Sequence, residues 1–74
     1  MPHITLKSFP LTEEERTKVT EALSQALQQS LGKSEASISV AIEEVPKENW
    51  QEQVYNTEIA PHMDTLTKKP GYSY

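Results

Sequence analysis

The chain predicts one small domain of mixed α/β (or α+β) class, spanning 1–74, built on a single βαβ unit with a helical C-terminal segment. Three observations carry this. Apolar residues alternate near the N-terminus, a capped amphipathic stretch follows, and a second alternating run comes after it. The first and third have the period of strands with one buried side, and the middle one has the period of a helix.

Residues 2–9 (PHITLKSF) set Ile4 and Leu6 on one face against His3, Thr5 and Lys7 on the other. Pro2 opens the strand, where a missing N–H costs no interior ladder bond. Pro10 closes the run. Thr12 is then placed as a helix N-cap, with Glu15 three residues on completing a capping box. Glu13 and Glu14 suit the positive end of the helix and are charge placement, not paired catalytic carboxylates. The stripe Val19, Ala22, Leu23, Ala26, Leu27 and Leu31 follows helical spacing and is expected to be core. Gly32 supplies a left-handed stop.

The second strand is predicted over 37–45 (SISVAIEEV), with Ile38, Val40 and Ile42 sharing a face. Glu43 and Glu44 mark its solvated end. Strand, helix, strand implies parallel pairing through a crossover. After Pro46, Trp50, Val54 and Tyr55 repeat at near-helical spacing. Pro61 removes a backbone donor, so two short helices are expected, near 48–55 and 58–68. Ile59, His62, Met63 and Leu66 should share a face of the second, and Pro70-Gly71 should stop it. Whether Tyr72, Ser73 and Tyr74 fray or dock on a partner is left open.

A chain this short encloses little core and needs support from disulfides, a metal or a partner subunit. Cysteine is absent, and His3 and His62 have no metal-ligand spacing, so oligomerisation remains. Seven basic against eleven acidic residues give a net charge of −4, which argues against nucleic-acid or anionic-membrane binding. No signal peptide or membrane span is evident, and a cytoplasmic location is expected.

The opening Met1-Pro2, the strand–helix–strand order and an aromatic near residue 50 resemble the 4-oxalocrotonate tautomerase family. The segments PHI at 2–4, SISVAI at 37–42, EIAP at 58–61 and KKPGYS at 68–73 extend the resemblance to the family's small dimeric members from enteric bacteria. The resemblance implies a tautomerase βαβ fold and a homodimer, although shorter members form hexamers. It also implies cofactor-independent isomerisation of a small enol, with Pro2 as base and then acid once Met1 is removed. Chemistry suits that residue. An α-amino group titrates near ~8 in water, and burial lowers that value, so a neutral base exists at physiological pH.

Two arginines that hold a diacid substrate in well-known family members are missing. By alignment their places fall to Leu11 or Thr12 and to Ser39, while the single arginine, Arg16, is expected at the surface. A dicarboxylate substrate is therefore disfavoured, and a 2-hydroxydienoate or arylenolpyruvate is expected. Ser39, Lys7 or a backbone amide are candidate replacement donors. Trp50 stands where the family carries a pocket phenylalanine and is a candidate substrate wall, with plain core or dimer contact as the competing role. Tyr55, Tyr72 and Tyr74 are further candidate donors. His3 and His62 are expected at the surface or an interface. Neither a cofactor nor a metal is implied. The competing functions are hydration or dehalogenation on the same scaffold, and a small dimeric interaction module without a substrate.

Overall fold

The computed structural model describes residues 1–74. Strand β1 (His3–Ser8) and strand β2 (Ser39–Glu44) pair in parallel, with His3 opposite Ser39 and Ser8 opposite Glu44. Helix α1 (Glu13–Leu31) connects them and packs on β2. The ladder runs one residue past the strands at each end: Ser39 N–H donates to the Pro2 carbonyl (3.2 Å) and Val45 N–H to that of Ser8 (2.8 Å).

The capping box forms as the sequence requires. Thr12 Oγ1 accepts from Glu15 N–H (3.1 Å), and the Glu15 carboxylate accepts from Thr12 N–H (2.8 Å). A cap of this kind stabilises a helix by about 1 kcal/mol. Gly32 ends the helix at φ 65°, a conformation glycine adopts without the steric cost of a Cβ.

Two expectations need correcting here. The second strand begins at Ser39, not 37, because Glu35–Ser37 winds as a 3₁₀ turn: the Ser34 carbonyl accepts from both the N–H and the hydroxyl of Ser37. The helical stripe is also not a closed core. Val19, Leu23 and Leu27 are half-buried, whereas Ala22, Ala26 and Leu31 lie exposed in the isolated chain. Two strands are too narrow to cover the whole apolar face of a five-turn helix.

The C-terminal segment departs further from expectation. A 3₁₀ turn (Lys47–Asn49) leads through Trp50 into a π-helix (Gln51–Ile59), and a 3₁₀ turn (Ala60–His62) follows without a gap. No helix occupies 63–68. Ala60 N–H reaches the Tyr55 carbonyl, five residues back, so the chain arrives at Pro61 through wide turns that do not depend on the missing proline donor. Thr65 donates both its N–H and its hydroxyl to the His62 carbonyl, at 2.9 and 3.0 Å, and closes the segment. Of the face expected there, Ile59, Met63 and Leu66 are half-buried and His62 is exposed.

Only Val45, Val54 and Tyr55 are buried in the isolated chain. This small core sits where the end of β2 meets the π-helix. It is well below what a domain of this size normally encloses.

Candidate active site

Candidate residues gather at the two ends of the sheet. At the first end, the half-buried Pro2 precedes β1, and its carbonyl is held by the Ser39 backbone. Because His3 and Ser39 are register partners, their side chains meet, with His3 Nδ1 2.6 Å from Ser39 Oγ. His3 Nε2 lies 3.4 Å from Thr5 Oγ1, two residues along the same strand face. Pro2 and Ser39 are thus neighbours. His3 is exposed and bridges to Ser39, a contact that strand register alone makes available.

The second end holds a cleft of about 480 Å³. Its floor is the last part of β1 and the residue after it, Leu6 to Phe9, and its walls are Trp50 and the tail tyrosines Tyr72 and Tyr74. Trp50 meets Phe9 edge to face, with ring centroids 5.2 Å apart and planes at 87°. Its indole N–H donates to the Tyr72 hydroxyl oxygen at 2.9 Å. Tyr55 anchors the tail from below, with centroids 5.7 Å from Tyr72 and 4.9 Å from Tyr74. The tail therefore docks on its own chain. Trp50 is half-buried and lines the cleft.

Lys7 enters the cleft but is already engaged. Its ammonium donates to Glu58 of the π-helix and lies 3.6 Å from Glu43, its register partner on β2. The hydrogen bond to Glu58 raises the Lys7 pKa above its ordinary 10.5; partial desolvation opposes this, and the charges of Glu58 and Glu43 add to it. A raised folded-state pKa contributes stability below the unfolded value, which is lost as pH climbs through the folded one. Urea unfolding of a Lys7→Gln variant should therefore show a deficit against the parent at pH 7 that closes above the Lys7 titration; a deficit that persists there would locate the effect elsewhere.

Arg16 is a surface ion pair, as anticipated. It donates to Glu44, which also accepts from Leu11 N–H at 3.3 Å, tying the start of α1 to the end of β2. Glu43 and Glu44 are thus exposed yet partnered, where a purely solvated strand end was expected. Pro2 does not line the aromatic cleft. Seven strand steps to Phe9 amount to about 23 Å, so within one chain Pro2 and Trp50 lie at opposite ends of the sheet. Phe9 was missed as a site residue, although alternation from His3 through Thr5 and Lys7 puts it on their face. Glu58 was missed as well, and no local pattern marks it.

With the geometry in hand, comparison with known proteins gives a consistent result. A family profile described as "Tautomerase enzyme" matches residues 2–55. The chain is 51% identical over 76 positions to Tautomerase PptA of Pectobacterium atrosepticum and 49% identical over 76 to that of Pectobacterium carotovorum, each covering the whole of both chains. It is 45% identical to Tautomerase PptA of Cronobacter sakazakii across 97% of each chain. A profile match over most of the chain and full-length identity near one half leave one conclusion: the chain belongs to the tautomerase family.

Proposed function

We propose that this tautomerase ketonises a small enol acid of the arylenolpyruvate or 2-hydroxydienoate type, with Pro2, freed of Met1, as its base and acid. The neutral secondary amine takes the enol hydroxyl proton. The electrons left on oxygen form the carbonyl as the double bond shifts, and the resulting ammonium returns a proton to carbon. Only proton transfers are needed, so the reaction as written uses no cofactor or metal.

The observation that carries the substrate class is the state of Lys7. A diacid needs a free cation for its second carboxylate, and Lys7 is taken up by Glu58 and Glu43 in a cluster that is net negative. The remaining cleft is largely aromatic, which suits a monoacid with an unsaturated or aryl tail. Hydratase chemistry ranks lower, because it requires a free carboxylate to activate water and the cleft carboxylates, Glu58 and Glu43, are paired with Lys7.

Association supports the same reading. Three buried residues, an exposed helix face and a two-stranded sheet are unfinished as a monomer. A two-fold axis across the strands sets them antiparallel, bringing the Pro2 end of one copy toward the Trp50 end of the other. Ser39 then lies on the Pro2 side of the site and Trp50 on the opposite wall. Light scattering should give twice the 8.4 kDa chain mass; a monomer at micromolar concentration would leave the two ends apart and remove this arrangement. No helix is long and apolar enough to cross a membrane, and we place the dimer in the cytoplasm with a soluble substrate.

The functional test is loss of enol absorbance from phenylenolpyruvate, comparing the Met1-free chain with its Pro2→Ala variant. Equal rates would refute the reading in favour of a module without this chemistry.

A further inference from the structure

The oxygen that gathers negative charge during ketonisation needs a donor, and the aromatic cleft narrows the choice of side chain. Lys7 is committed to Glu58 and Glu43. The Ser8 hydroxyl donates to the Phe9 carbonyl at 2.9 Å. The Trp50 indole has one N–H, and it is donated to the Tyr72 hydroxyl oxygen. Tyr74 is the final residue, is more exposed than Tyr72, and its hydroxyl makes no hydrogen bond.

Tyr72 is in a different position. Its hydroxyl oxygen accepts from a fixed indole N–H, while its own proton has no acceptor on the protein. Accepting one hydrogen bond polarises a hydroxyl and strengthens the one it donates. The ring is set between Trp50 and the Tyr55–Tyr74 pair, and its centroid lies 6.0 Å from that of Tyr74. A neutral, oriented donor in an aromatic wall is suited to a developing oxyanion, because it adds no standing charge beside Glu43 and Glu58.

We propose that the Tyr72 hydroxyl, oriented by the Trp50 indole, is the catalytic donor to the substrate oxygen that becomes anionic when Pro2 removes the enol proton. The assignment rests on the Pro2 reading above and on the facing of the Pro2 end of one copy with the cleft of the other. Trp50 acts as a positioning residue. The developing oxyanion is thereby met by a neutral phenol drawn from the C-terminal tail, a role separate from the carboxylate binding of the missing arginines.

Tyr72→Phe keeps the ring that packs on Tyr55 and Tyr74 and loses only the acceptor of the Trp50 indole, so its thermal midpoint should fall by no more than about 8 °C. With phenylenolpyruvate, its kcat should fall about 10- to 100-fold with KM changed less than about threefold, as expected for an interaction made chiefly in the transition state. Trp50→Phe should lose a smaller part of kcat, and adding it to Tyr72→Phe should cost little more, because the indole acts through the phenol. A Tyr72→Phe variant with kcat within about twofold of the parent, or with the whole loss in KM, overturns the assignment. If that occurs while Pro2→Ala is inactive, the donor alone is wrong. If the parent shows no Pro2-dependent turnover, the Pro2 reading and this assignment fall together.

Discussion

Replacing Pro2 by alanine should slow ketonisation of an enol acid by about 100-fold or more, the range expected when a positioned general base is lost. Alanine is a suitable test residue because it is also small enough to permit removal of Met1, so the variant keeps a free amine. That amine is primary, lacks the ring that fixes its direction, and gains freedom at the end of β1. The fold should be indifferent, since the contact Pro2 makes to β2 is through its carbonyl, which alanine retains. Intact mass establishes that Met1 is gone in both proteins, and absorbance then reads the rate. A preparation that keeps Met1 should be as slow as the variant, because its Pro2 nitrogen is a tertiary amide with no usable basicity. An undiminished rate in either case would remove Pro2 from the mechanism.

Tyr55→Ala should be the most disruptive single change to stability. Tyr55 is one of three buried residues and carries both tail tyrosines on its ring. Truncating a buried aromatic costs about 3–5 kcal/mol, a large share of the roughly 4–11 kcal/mol typical of a domain this size. Urea unfolding should show that loss. At low denaturant, Trp50 emission should shift to the red as Tyr72 leaves the indole. A cost below about 1 kcal/mol would mean that the tail and the π-helix are not one packed unit.

The strand, helix and strand were legible because their signals are local. Alternation from His3 to Lys7, the Thr12–Glu15 capping box and Gly32 each act within a few residues, and each formed where expected. The segment after Pro46 was not legible. Helices bonded four or five residues back both bring positions four and five apart to one face, so the positions of Trp50, Val54 and Tyr55 do not distinguish an α-helix from a π-helix. Tertiary packing and the missing donor of Pro61 decided in favour of π and 3₁₀ turns.

The candidate site divides along the same line. Pro2 and Ser39 as neighbours follow once parallel register is known, and Trp50 as an aromatic wall follows from its place in the chain. Length and the absence of cysteine also led the sequence to predict association with another copy. Only the tertiary structure decided that Lys7 is neutralised by Glu58, fifty-one residues away, that Phe9 faces Trp50, and that Tyr72 accepts the indole hydrogen bond. Such contacts depend on how separate elements pack, and no periodicity within one element encodes them.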